Sequence, residues 1–189
     1  VTDEKFNKNE FEKNVPKEHR LITKGIEVGH IFYFGDKYSK PMKASVDHQG
    51  KKIFVKMGSY GVGVSRLVGA IIEAKYNDKE EVMKWPISVS PYDIAIIPLI
   101  NKNDSTNLDK AISICKILNE KNLDVIIDDT EENFSSKLKK FNLIGIPYQI
   151  LIGKKSEGDL LEFKEIGKES QNLSVKQIID LVTKIKNKI

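Results

Sequence analysis

The string Met57-Gly58-Ser59-Tyr60-Gly61-Val62-Gly63-Val64-Ser65-Arg66 is the most specific stretch in the chain, and its flanks decide how the first half folds. Beyond it, Val64, Leu67, Val68, Ile71 and Ile72 recur at helical spacing, which predicts a helix from residue 62 to about residue 76. Before it, residues 52–57 predict a strand, entered from the turn signal Asp47-His48-Gln49-Gly50. Strand, glycine turn and helix therefore follow one another. Glycines at 61 and 63 let the backbone turn tightly and come close to a planar ligand. An arginine one turn into the following helix can lay its planar, permanently charged fork over the same surface, a geometry that suits a polyphosphate tail. A dinucleotide-binding turn would place a third glycine where Arg66 stands. Taken alone, such a string more often marks a glycine-rich turn with a surface arginine.

Working outward, residues 27–35 (EVGHIFYFG) read as a strand of β-branched and aromatic residues stopped by glycine, with a turn-like stretch at 36–41. Residues 1–24 are charged, apolar-poor and nonperiodic, like a linker, and the start at Val1 leads us to expect a fragment of a longer protein. On the other side, prolines bracket an extended heptad at 85–91, which reads as an inter-domain connector. The rest alternates. Strands are predicted at 92–100, 123–128, 148–152 and 160–166, and helices at 104–119, 135–143 and 174–186, the last with Ser174 as N-cap. The order β-α-β-α-β-β-α is that of an α/β layered domain. The expected organisation is a linker-like segment at 1–24, a first domain at 25–86 and a second at 91–189.

Composition narrows the function classes. The chain has 189 residues, 31 Lys+Arg against 27 Asp+Glu, and one cysteine. A lone Cys115 excludes an intramolecular disulfide framework and any paired-cysteine zinc site, so a reducing, cytoplasmic setting is expected, and no apolar run approaches bilayer-spanning length. Cys115 itself falls on the apolar face of a predicted helix. Only two of the basic residues are arginine, Arg20 and Arg66. The net charge of +4 lies wholly in residues 1–90, and the second half is neutral, so any polyanion contact there depends on local placement. No nucleophile triad, metal-ligand cluster or covalent cysteine is evident.

The strings GIEVGHIFYFGDKYSKPMKA, VKMGSYGVGVSRLVGAIIEA and KWPISVSPYDIAIIPL together resemble the end of the catalytic domain of bacterial-type prolyl-tRNA synthetases, class IIa aminoacyl-tRNA synthetases. Residues 58–66 then correspond to motif 3. Further on, Asp128-Asp129, Lys137 and Asn142-Leu143-Ile144-Gly145-Ile146-Pro147 resemble the pattern of the class IIa anticodon-binding domain. The resemblance implies an α/β chain in which part of an antiparallel-sheet catalytic unit precedes an anticodon-binding domain with a mixed sheet flanked by helices.

It also implies roles. Arg66 would be the catalytic arginine engaging the nucleotide, with Gly61 and Gly63 permitting close approach. His30 would line the prolyl-adenylate pocket and Ser59 would sit at its edge, where several relatives have cysteine. Asp128, Glu132 and Lys137 would contact anticodon bases, carboxylates accepting from exocyclic amines and lysine reaching phosphates or guanine. Asn133, Phe134 and Ser135 depart from the arginine and Pro-Gly common in the family. The implied substrates and partners are ATP with Mg²⁺, proline and tRNA(Pro), with no tightly bound cofactor and no protein metal site, in a cytoplasmic homodimer off the membrane. Motifs 1 and 2 find no counterpart upstream of residue 25, so this chain alone is expected to be inactive. A non-catalytic tRNA- or protein-binding module stays open as the alternative, whereas a Rossmann-like enzyme is disfavoured because the glycine string does not enter a βαβ unit.

Overall fold

The computed structural model describes residues 6–21, 23–101, 104–153 and 159–187, and the chain divides into two compact units, Val1–Leu67 and Val68–Ile189. In the first, a short helix α1 (Lys8–Asn14) is capped by the Asn7 side chain, which accepts from the Glu10 amide. Its far end is closed by Arg20, whose guanidinium donates to the carbonyls of Val15 (2.8 Å) and Glu12 (2.6 Å) and lies over the Phe11 ring. The stretch that reads as nonperiodic thus holds an ordered turn-and-helix, made by side-chain capping that no period announces.

Strand β1 (Gly29–Gly35) pairs antiparallel with β4 (Met57–Val62), and β2 (Ser45–His48) forms a hairpin with β3 (Lys51–Phe54). The hairpin turn is Gln49-Gly50, both at positive φ, the two-residue geometry that matches the strand twist. This corrects the sequence reading in two places. The predicted strand at 52–57 splits in two around residue 55, and the glycine string is itself a strand, because β1 supplies backbone partners along its length. One face of the β1–β4 ribbon is apolar and open, with Ile31, Tyr33 and Tyr60 each more than 70% exposed. A two-stranded ribbon is marginal by itself.

Helix α2 (Val64–Lys75) runs across the division between the units. It leads to a small hairpin, β5 (Tyr76–Asn77) with β6 (Val82–Met83), and then to a 3-10 turn at Ile87–Val89. The connector expected to be extended is therefore partly coiled. The second unit continues with β7 (Ile94–Pro98), α3 (Thr106–Asn119), β8 (Val125–Ile127), α4 (Phe134–Ile144), β9 (Tyr148–Ile152), β10 (Leu160–Glu165), β11 (Gln171–Ser174) and α5 (Val175–Lys186). Its sheet has the order β11-β10-β9-β7-β8, parallel among β8, β7 and β9 and antiparallel beyond.

The central strands β7 and β9 are buried at every residue, as expected of parallel strands covered on both faces. Alternation along them builds two cores. Ile94, Ile96, Tyr148 and Ile150 pack with Leu118 of α3 and Ile178 and Val182 of α5, while Ala95, Ile97 and Leu151 pack with Phe141 of α4 on the other side. Cys115 packs against the first core. Helix α5 starts where the sequence places it, with Ser174 and Gln177 forming a reciprocal capping box. Strand β11 was not legible, since QNLS carries no alternation of its own and pairs because β10 offers a free edge. No helix among the described residues is long and apolar enough to cross a membrane.

Candidate functional site

The first site is built on the β1–β4 ribbon. Register pairs His30 with Gly61 and Phe32 with Ser59, and side chains two apart on a strand share a face, so His30, Phe32, Ser59 and Gly61 lie on one surface. The His30 ring stacks on Phe32 at 4.3 Å between centroids, and Phe32 stacks in turn on Phe34. A Cβ added at Gly61 would meet nothing within 4 Å, so this glycine leaves the surface beside His30 bare rather than relieving a clash. Gly63 differs. A Cβ there would sit 3.2 Å from Cβ of Arg66, so its absence makes room for the arginine stem.

Arg66 stands in the first turn of α2, and its Nη1 donates to the backbone carbonyl of Glu27 at 2.7 Å. Nδ1 of His30 bonds the Glu27 carboxylate, also at 2.7 Å. The residues singled out from sequence, His30, Ser59, Gly61, Gly63 and Arg66, are thus brought together, 36 positions apart at the extremes, by strand pairing and the turn into the helix. Such a surface offers an aromatic platform, a bare patch and a fixed cation. Glu27 was missed, and nothing local in the sequence distinguishes it from any other charged residue before a strand.

The second site lies at the carboxyl edge of β7 and β8, the place where open α/β sheets bind ligands. Here the structure alters the expectation for two of three residues. Lys137 is completely buried, and its Nζ donates to the carbonyls of Pro98 (3.0 Å) and Asp128 (3.1 Å), tying the ends of two parallel strands. Asp128 is 4% exposed and bonds inward as well, accepting from the amide and hydroxyl of Thr130, with Lys140 Nζ 2.8 Å from its other oxygen. Neither presents its charge to solvent. Glu132 is exposed, 3.5 Å from Lys140, and Asp129 and Glu131 are exposed beside it. Asp128 and Lys137 therefore shape the strap that carries Glu132.

The chemistry of that strap has a pH signature. Burial works to raise the Asp128 carboxyl, but hydrogen bonds from Lys140 and Thr130 and the nearby Lys137 outweigh it and hold the group below its ordinary value of 3.8. Burial also pulls Lys137 down, against the attraction of Asp128. Glu165 behaves like Asp128, with burial opposed by Lys168 and Lys84 and the net shift downward from 4.5. A carboxyl whose value is depressed in the folded state contributes stability that is complete above its unfolded value and lost as the pH falls through the folded one. Thermal melts of the chain are expected to show a midpoint that falls as the pH drops below the ordinary values of these carboxyls, 4.5 and 3.8, and on through their lower folded ones, and Asp128→Asn should flatten part of that slope. An unchanged slope would separate Asp128 from the acid transition.

Comparison with known proteins agrees with this architecture. The sequence pattern of the family described as "Anticodon binding domain" matches residues 93–185. The proline–tRNA ligase of Pelagibacter ubique (strain HTCC1062) is 68% identical over 99% of this chain, which covers 43% of that protein. Nearly the whole chain is thus similar to one part of a proline–tRNA ligase. A second relative, the proline–tRNA ligase of Wolbachia sp. subsp. Drosophila simulans (strain wRi), is 52% identical over 75% of the chain and 32% of its own length. In fold, the chain matches the crystal structure of the prolyl-tRNA synthetase of Cryptosporidium parvum complexed with L-proline and AMP. The TM-score is 0.71 at 20% identity, over 85% of this chain and 34% of that one. The chain thus spans less than half the length of the proline–tRNA ligases it matches, and it includes their anticodon-binding domain.

Proposed function

We propose that the protein carrying this chain activates proline with ATP and transfers it to tRNA(Pro). Residues 25–86 would form the end of its catalytic domain and residues 91–189 its anticodon-binding domain. The observation that carries this reading is the convergence of His30, Ser59 and Gly61 on one ribbon face, with Arg66 anchored beside it across the turn at Gly63. In the first step the proline carboxylate attacks the α-phosphorus of ATP, releasing pyrophosphate; in the second a terminal ribose hydroxyl of the tRNA attacks the acyl carbon and releases AMP. Neither step needs a protein nucleophile. Orientation and fixed positive charge suffice, and Arg66 supplies one such charge, its plane held by Glu27. Mg²⁺ arrives with the nucleotide substrate.

For tRNA, the exposed Glu132 and its neighbours on the strap after β8 are the groups placed to meet unpaired bases, with Asp128 and Lys137 as their buried supports. A cytoplasmic homodimer is the assembly we infer from the family. Proline-dependent exchange of pyrophosphate into ATP tests the reading. The full-length protein should catalyse it and the 189-residue chain should not, because the chain covers 43% of its relative from Pelagibacter ubique. Exchange by the isolated chain would place the whole activation site within these residues and overturn that division of labour.

A further inference from the structure

We propose that Glu27 is a positioning residue for the ribbon site, its carboxylate fixing the ring of His30 and its backbone carbonyl fixing the guanidinium of Arg66. The inference rests on the proposed role of the ribbon in binding proline and ATP, and adds to it a residue that the sequence did not single out. Glu27 lies two residues before β1, outside any helix or strand. Its Oε1 is 2.7 Å from Nδ1 of His30, and its carbonyl oxygen is 2.7 Å from Nη1 of Arg66. The next carbonyl, that of Val28, accepts from the amide of Gly63 at 2.9 Å. Two consecutive carbonyls therefore template the glycine string and its arginine.

The consequence for His30 is geometric. Stacking on Phe32, at an interplanar angle of 17°, sets the plane of the imidazole, and the bond to Glu27 sets its rotation within that plane. With the Nδ1 proton committed to the carboxylate, Nε2 is the nitrogen left to engage a ligand, and the tautomer is chosen by Glu27. As a device for stability this pair is weak. Both side chains are about half exposed, and exposed ion pairs contribute little. Its value lies in delivering a ring nitrogen at one orientation to a site whose other charged group is held by the same residue.

The test uses pyrophosphate exchange by the full-length protein, together with ¹⁵N NMR of the imidazole in the 189-residue chain. Glu27→Ala is expected to raise KM for proline about tenfold, the effect of one lost hydrogen bond to the ligand-facing ring. KM for ATP should stay unchanged, because the anchor of Arg66 is a backbone carbonyl that alanine retains. Glu27→Gln should restore proline KM, since the amide oxygen accepts the same bond. In a His30→Ala background Glu27→Ala should add nothing, as expected for groups acting through one another. The His30 Nδ1 resonance should move in Glu27→Ala. Wild-type proline KM and an unmoved resonance in Glu27→Ala, alongside an impaired His30→Ala enzyme, would overturn the inference and leave the role of the ribbon intact. An unimpaired His30→Ala enzyme would overturn that role itself, whatever the resonance does.

Discussion

Gly145→Ala is expected to destabilise the second unit by about 2–5 kcal/mol, from left-handed strain plus overpacking. Gly145 ends α4 with φ of +84°, a conformation in which a Cβ crowds the following carbonyl. Space is lacking as well. An added Cβ would sit 2.6 Å from Cγ of Met83, 2.9 Å from its carbonyl oxygen and 3.0 Å from its carbonyl carbon. The side-chain atom could swing away, but the backbone atoms cannot. The segment from Met83 to Trp85 is clamped to the helix end by the Trp85 amide on the Gly145 carbonyl (3.0 Å) and the indole on the Ile144 carbonyl (2.9 Å). Lys84 adds an ion pair to Glu165. A fall in melting temperature of roughly 10–20 °C is expected for Gly145→Ala. Gly69→Ala is the control. Its Cβ would meet nothing within 4 Å in the middle of α2, so the gain in helix propensity should make it neutral or stabilising. Equal melts for Gly145→Ala and wild type would remove the clamp from the account of stability.

Arg66→Ala in the full-length protein is expected to lower the rate of proline-dependent pyrophosphate exchange by about 10²–10³-fold, the loss seen when one preorganised electrostatic group is removed from a site. The effect should fall on chemistry rather than on folding. Arg66 is exposed, and its hydrogen bond to Glu27 is a surface one, so the melting temperature should stay within the range of ordinary surface substitutions, about ±0.5 kcal/mol. Arg66→Lys should recover only part of the rate. Lysine keeps the charge, but it loses the planar fork that both grips the Glu27 carbonyl and presents a second edge to an anion. Unchanged exchange in Arg66→Ala would take the residue out of the site and leave the ribbon without its cation.

Much of the second unit is legible from sequence alone, and for identifiable reasons. Strand β9 reads at its observed bounds because YQILI is a continuous buried run stopped by Gly153, and α5 because its period and its Ser174 cap coincide. Strand β4 is not legible. Its two glycines, Gly58 and Gly61, imitate a turn, and only pairing with β1 extends them. The same limit governs the sites. Gly61, Gly63 and Arg66 stand out because their spacing is local, whereas Glu27 acquires a role only when a helix start 39 residues later reaches its carbonyl.

Lys137 shows the division most clearly. By itself the sequence determined the alternation of strands and helices, the capped start of α5, the glycine string with its arginine, and the likeness to part of a prolyl-tRNA synthetase. Each of these is written in residues close together or in a spaced pattern. Whether a lysine after Asp128 faces solvent or the interior is written nowhere in that pattern. It depends on which strand ends meet beneath it, and here the carbonyls of Pro98 and Asp128 converge on its ammonium. The buried charge is tolerated because those carbonyls and the Asp128 carboxylate replace the water it gives up. The tertiary structure therefore decided which charges are presented to a ligand and which hold the presenting strap in place.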